Sequence, residues 1–297
     1  MRQGDTVAVV SPSGPADAAK LRRGAERLES LGYKVVVGEH ALDRHEFGYL
    51  AGDDAARAAD LQAAWCDPSV SAVFCSRGGY GAGRLLGLLD WDAMRAAGQK
   101  VLLGSSDITA LHLSFAVELG VPTLHGPMVA GDVLAAEDGP EPRTWESLRA
   151  ALSGEPVRVE GDRVLAEGRA EGELAGGNLS LLASLCGTRW QPSFAGKVAF
   201  LEDIGEEPYR IDRMLTQLLH AGAFDGVRGI ALGSWVDCGD PYPVLADRLK
   251  PLGVPILAGL PVGHGSPQMS VWLGSLGVID TESCSLTGPN SDGEQAR

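Results

Sequence analysis

VLLGSSDITALHLSFAVEL, residues 101–119, holds the logic of the fold in miniature. Residues 101–103 are an apolar run that reads as a buried strand, Gly104-Ser105-Ser106-Asp107 is a sharp turn, and residues 107–119 read as a helix. The same order recurs upstream. Residues 6–10 form an apolar strand that ends at Ser11-Pro12-Ser13-Gly14-Pro15, and the helix after it carries Leu21, Ala25 and Leu28 on one face with Gly32 as its stop. Residues 34–37 are the next strand. Asp53-Asp54 then opens a helix bearing Ala58, Leu61 and Trp65, closed by Asp67-Pro68. Residues 72–75 form a strand running into Arg77-Gly78-Gly79-Tyr80-Gly81, with a helix expected around 84–89 and a further strand at 122–124. Strand and helix in alternation mean parallel strands with helices on both faces. Ligands of such sheets sit at the carboxyl ends of the strands, which singles out the loops 76–83 and 104–107.

Downstream the pattern changes. Residues 130–163 are rich in Gly, Pro, Asp and Glu and read as a crossing. The expected division is a first α/β unit over 1–135, a connection over 136–165 and a second unit over 166–297. In the second, Gly176-Gly177-Asn178 opens a helix, and the strand 198–201 leads into Glu202-Asp203. Residues 209–220 form an amphipathic helix with Ile211, Met214, Leu215, Leu218 and Leu219 on one side. Strands are expected at 227–232, 254–257 and 271–273, with Gly263-His264-Gly265 between the last two, and the polar tail 289–297 should fray.

Composition narrows the function. With 44% hydrophobic and 22% charged residues, the 297-residue chain can build a packed core. A net charge of −14 repels nucleic acid and anionic lipid, so neither is an expected partner. No apolar run approaches the roughly 18 residues of a membrane span, and the run from Val7 to Val10 is too short for a signal-peptide core. Five cysteines without a Cys-x-x-Cys pair fit a reducing cytoplasm and argue against a thiolate metal site. Neither His-Glu-x-x-His nor any histidine pair at ligand spacing occurs, so no metal or cofactor is expected.

Four places can carry chemistry. A serine at 106, on a strand-to-helix turn, would be lifted above the sheet edge with helix amides behind it, as in G-x-S-x-G turns. Ile108 takes the last glycine's place, and Ser105, Ser106 and Asp107 are also ordinary helix-capping residues. The loop 76–83 lacks the phosphate-loop ending Gly-Lys-Ser/Thr. Its bare amides could serve an anion, a reacting carbonyl or only a turn. Glu202 can orient an imidazole or simply end a strand, with Glu206 and Glu207 as alternatives. His264, flanked by glycines, is the first choice of base and His125, in His-Gly-Pro-Met, the second; His112, His220, His40 and His45 are weaker.

Seven stretches, VAVVSPSGP, SRGGYGAGRLL, GSSDITALH, HGPM, GGNLSLLASLCGT, LEDIGEEPYRIDRML and VGHGSP, run in order from Val7 to Pro267. Together they resemble the LD-carboxypeptidase family of serine peptidases, which includes murein tetrapeptide carboxypeptidases and the microcin C immunity peptidase. The resemblance implies an N-terminal parallel-sheet domain of flavodoxin or class I glutamine amidotransferase type and a smaller C-terminal α/β domain of swivelling type. It implies a homodimer and, at the interface of the two domains, a triad: Ser106 as nucleophile, Glu202 orienting the ring and His264 as general base. The implied reaction is metal-independent hydrolysis of the L,D-peptide bond that releases terminal D-alanine from muropeptide tetrapeptides. Backbone amides of Gly79 and Asp107 are candidates for the oxyanion site, and Arg77 or Arg84 for the substrate's free carboxylate. Two alternatives stay open: hydrolysis of a microcin C-type peptidyl or aminoacyl nucleotide, and a non-catalytic module that holds a nucleotide on the loop 78–83.

Overall fold

A computed structural model describes residues 1–288; the tail expected to fray lies outside them. The apolar runs become strands β1 (Thr6–Val10), β2 (Lys34–Val37), β3 (Val70–Cys75), β4 (Val101–Gly104) and β5 (Thr123–His125). Helices α1 (Ala18–Ser30), α2 (Asp54–Cys66), α3 (Trp91–Ala96) and α4 (Thr109–Glu118) connect them. There follow α5 (Pro142–Ser153), β6 (Arg158–Glu160), β7 (Arg163–Ala166), β8 (Arg169–Asn178), α6 (Leu179–Ser184), β9 (Val198–Ile204), α7 (Pro208–His220), β10 (Gly229–Val236) and α8 (Tyr242–Leu249). The chain closes through β11 (Ile256–Ala258), β12 (Val271–Leu273), β13 (Leu276–Asp280) and β14 (Ser285–Thr287).

The fold is α/β with two sheets. The first has the order β12-β5-β4-β3-β1-β2, and β1 to β5 run parallel, as the alternation of strands and helices requires. The second has the order β6-β14-β13-β8-β9-β10-β11-β7, with β8 to β11 parallel and the rest antiparallel. Helix α6 packs on β8 and β9 and against α7, which in turn meets α8. The buried apolar residues form two clusters, and each draws on both sheets: one joins Val10, Ile108 and Leu111 to Leu182, Leu201 and Leu215, the other Phe74 and Leu103 to Phe200 and Leu257. The two sheets therefore share their core. Among the described residues no helix is long and apolar enough to cross a membrane.

Four expectations change. Residues 271–273 do not stay with the second unit: β12 returns to the first sheet and pairs antiparallel with β5, Val271 opposite His125. Residues 136–165 are more than a connection, because they hold α5, β6 and most of β7. The composition that reads as loop is a helix start, where the Glu141 side chain accepts from the amides of Arg143 and Thr144 and Pro142 opens the first turn. The helix expected at 84–89 is a 3-10 turn, Ala82–Arg84, followed by irregular chain. Neighbouring Leu85 and Leu86 are both buried there, and glycines at 81, 83 and 87 disfavour a helix. Finally, β9 continues beyond 201, so Glu202 and Asp203 lie inside a strand rather than at its solvated end.

Candidate active site

After β4 the backbone folds sharply. Ser105 is extended, and Ser106 takes φ +61°, the left-handed region that costs a residue with a side chain about 1–3 kcal/mol. A 3-10 turn, Ser106–Ile108, then leads into α4. Gly104 serves this turn by its lack of bulk: a Cβ there would stand 2.8 Å from the Ile108 side chain. The glycine loop comes equally close, since a Cβ on Gly78 would stand 2.9 Å from Ser106 Cβ and 3.2 Å from its Oγ. Asp107 fastens the two loops. Its Oδ2 accepts from Ser13 Oγ at 2.6 Å and from the Ala82 amide at 2.7 Å. Burial pushes its pKa up, against those two bonds and the nearby Arg57 charge. Asp107 thus takes the Ala82 amide, one of the donors of that loop. The Gly79 amide, exposed and at φ +108°, makes no hydrogen bond among the described residues, and its neighbour Gly78 packs against Ser106.

The arginines behave differently from one another. Buried Arg57 donates to the Pro12 carbonyl and to Asp54, and Asp54 also receives Nε and Nη2 of Arg84 at 2.9 and 2.7 Å. Arg84 is thus engaged by a carboxylate of the chain itself. Arg77 is exposed on the loop beside Ser106 and donates one bond, to the Pro15 carbonyl at 2.9 Å.

Glu202 is fully buried on β9 and uses a single oxygen for one residue: Oε2 accepts from His264 Nδ1 at 2.7 Å and from the His264 amide at 3.1 Å. Gly263 makes this approach possible, because a Cβ there would stand 2.5 Å from that oxygen. The His264 side chain is 19% exposed. Burial favours its neutral form, but the hydrogen bond and charge of Glu202, helped by Asp203, outweigh that and hold its pKa above the ordinary value. Asp203 turns the other way. Its carboxylate accepts from Asn178 Nδ2 and the Ile204 amide, both at 2.8 Å, and from the Ser180 amide at 3.0 Å. Burial, with the charge of Glu202 as a further cause, raises its pKa to about 6.

Asn178 joins this pair to the serine turn. It stands opposite Glu202 across β8 and β9, and its amide donates to Thr109 Oγ1 at 2.9 Å, three residues beyond Ser106. The serine turn and the Glu202–His264 pair therefore flank one seam between the sheets. Among the described residues no hydrogen bond joins the Ser106 hydroxyl to the His264 ring, and His264 Nε2 has no partner; such contacts are often long before substrate binds.

The other candidates fall elsewhere. Glu206 pairs with Arg210, and Glu207 precedes α7. His40 and His45 pair with Asp43 and Asp53. His112 is buried between Thr123 Oγ1 and the Gly104 carbonyl, with its pKa lowered to about 4 by burial. His125, the second choice of base, is fully buried, and burial holds it well below its ordinary pKa, which counts against it as the base. Sequence reasoning missed Ser13, Arg57, Thr109 and Asn178, which hold the site in place. Only Ser13 had a signal, a hydroxyl at the ligand edge of β1.

Residues 7–126 match the family model described as the LD-carboxypeptidase N-terminal domain, and residues 171–279 match the LD-carboxypeptidase C-terminal domain. The chain belongs to the LD-carboxypeptidase family. It is 52% identical over 294 residues to a Streptomyces coelicolor protein named provisionally as a carboxypeptidase, covering 96% of this chain and 93% of that one. It is 35% identical to the murein tetrapeptide carboxypeptidase of Pseudomonas aeruginosa, over 92% of both chains. The microcin C7 self-immunity protein of Escherichia coli is 29% identical over 96% of this chain and 93% of its own. The crystal structure of muramoyltetrapeptide carboxypeptidase from Oxalobacter formigenes superposes with a TM-score of 0.85 at 28% identity, covering 98% of this chain and all of that one (100%). As an LD-carboxypeptidase family member the protein is a peptidase, a hydrolase of α/β architecture.

Proposed function

We propose that this LD-carboxypeptidase is a serine peptidase that releases terminal D-alanine from muropeptide tetrapeptides. The observation that carries the reading is the buried Glu202 carboxylate holding His264 by ring and backbone together, at the seam where Ser106 occupies a strained turn. With Nδ1 bound to Glu202, Nε2 is the nitrogen left to take the Ser106 proton, and Glu202 steadies the imidazolium that forms. Ser106 attacks the carbonyl of the L-configured third residue. The Gly79 and Asp107 amides receive the oxyanion, and Arg77, with donors to spare, meets the free carboxylate. D-Alanine leaves with the proton from His264, and water resolves the acyl-enzyme. Cell-wall recycling places such an enzyme in the cytoplasm, and a homodimer belongs to the same reading.

The test is mass spectrometry of a muropeptide tetrapeptide incubated with wild-type and Ser106→Ala protein. Wild type should release D-alanine with or without EDTA, and the variant should lose about 10⁴-fold or more in rate. Release by the variant, or its suppression by EDTA in the wild type, defeats the serine mechanism. The microcin-type reaction on a peptidyl nucleotide is the second reading. The relative with that name is 29% identical and the murein enzyme 35%, which favours the murein substrate. Cleavage of a peptidyl adenylate analogue with the tetrapeptide left intact would reverse the order.

A further inference from the structure

Behind the Glu202–His264 pair lie buried polar atoms that the mechanism above does not use. Glu202 Oε1, both ring nitrogens of His125 and Ser270 Oγ have no hydrogen-bond partner among the described residues. All three residues are fully buried. Buried polar atoms are nearly always paired, through protein or ordered water, and leaving one unpaired costs about 1–3 kcal/mol. Such atoms on His125 and Ser270, at the β5–β12 pair, and on Glu202 of β9 call for a common explanation.

They are linked through the Phe200 ring and the β5–β12 pair. His125 ends β5, and its ring meets the Phe200 ring edge-on, with centroids 5.1 Å apart. Phe200 and Glu202 lie two residues apart on β9 and so share a face. Gly233 touches both, since a Cβ on it would stand 2.9 Å from Phe200 Cε2 and 3.1 Å from Glu202 Cβ. Ser270 directly precedes the residue paired with His125, and its Oγ would lie 2.7 Å from a Cβ on Gly126. The titratable groups facing His125 are His112 from α4, 5.9 Å away ring to ring, and His264, whose charge bears on it. Asp203 faces away, towards Asn178 and Ser180.

The chemistry of these atoms is complementary. A carboxylate oxygen needs a donor, an imidazole held neutral by burial offers one donor and one acceptor, and a hydroxyl offers either. A buried water joining them would have three polar partners, a normal number for an internal site. We propose that His125 is a positioning residue for the acid–base pair: its ring N–H donates, through a buried water shared with Ser270, to Glu202 Oε1. The carboxylate is then fixed at both oxygens. Oε2 stays on the His264 ring, and part of the carboxylate charge is drawn away from it.

The inference rests on the reading of Glu202 and His264 given above, and two variants separate it from simple packing. His125→Phe keeps a ring against Phe200 and His112 but has no donor; His125→Gln keeps a donor. The titration midpoint of the His264 ring, followed by NMR of its carbon-bound protons, needs no substrate. Without the donor on Oε1 more of the carboxylate charge falls on His264, so in His125→Phe the midpoint should rise by roughly half a pH unit. On a tetrapeptide, kcat should fall about tenfold with KM nearly unchanged, the usual effect of losing an outer hydrogen-bond partner. His125→Gln should stay within about threefold of wild type by the same reasoning. Should His125→Phe not fold, Ser270→Ala should move the midpoint in the same direction by a smaller amount. An unmoved midpoint in His125→Phe, or in Ser270→Ala where His125→Phe does not fold, overturns the proposal, as does His125→Gln falling as far as His125→Phe. If wild type releases no D-alanine the proposed function fails, while the NMR midpoint still decides this inference.

Discussion

In the proposed triad Glu202 sets the working pH as well as the geometry. Opposing causes act on His264: burial lowers its pKa, and the Glu202 hydrogen bond and charge, with a smaller contribution from Asp203, raise it above the ordinary value near 6.5. In the proposed reaction His264 acts as a base only when neutral. Activity should therefore be full above that raised pKa and fall as the pH drops through it. The acid limb of a kcat/KM profile is expected at a midpoint above 6.5. Glu202→Gln removes that charge and leaves burial, the largest cause, opposed only by Asp203, so the His264 midpoint should fall below 6.5 even as kcat drops by about 10²–10⁴-fold. A variant midpoint at or above that of wild type would separate Glu202 from the base. The sequence named Glu202, His264 and the glycines around the histidine. It did not reveal that Gly263 is needed to admit a carboxylate oxygen, because that oxygen comes from Glu202, 61 positions earlier on β9.

At the scale of the element, the β4–α4 turn holds half-buried Ser106 at the cost of backbone strain. The strand, the turn and the helix were legible from periodicity alone. The strain was not, because serine occupies the left-handed position where glycine would be the usual signal, and the nearby Gly104 is there to clear Ile108. Comparing Ser106→Gly with Ser106→Ala isolates the strain, since both lose the hydroxyl and only glycine relaxes the backbone. Relief of a left-handed residue, less the greater freedom of glycine in the unfolded chain, should leave Ser106→Gly more stable by about 0.5–1 kcal/mol in urea denaturation. Equal stability of the two variants would mean that the turn stores no such strain. The misread segment at 84–89 has the opposite cause. Its leucines suggest a helix, but the fold needs Leu85 and Leu86 buried side by side and ties Arg84 to Asp54.

Across the whole molecule the site depends on how two sheets are held together. The first sheet could be read from the sequence because its strands and helices alternate locally. The return of β12 could not, since a three-residue strand at 271–273 carries no sign of its partner at 123–125. The seam is equally hidden: its central bond joins the Asn178 amide to Thr109 Oγ1, 69 positions apart. Thr109→Val tests whether this bond aligns the site. Valine matches the shape of threonine but offers no acceptor, so a buried amide would be stranded at a cost of about 1–3 kcal/mol. Because each apolar cluster spans both sheets, unfolding should remain a single transition, displaced to lower urea. Activity should also fall, since the Glu202–His264 pair would lose its registration with Ser106, and the loss should appear in kcat more than in KM. Thr281→Val is the matched control. Thr281 Oγ1 accepts from the Gly168 amide at 2.9 Å, at the β8–β13 end of the second sheet, where none of the catalytic candidates lies. That variant should lose stability and keep kcat. If Thr109→Val kept kcat as well, the seam would hold the protein together without aligning its chemistry, and the alignment would have to come from the shared apolar core alone.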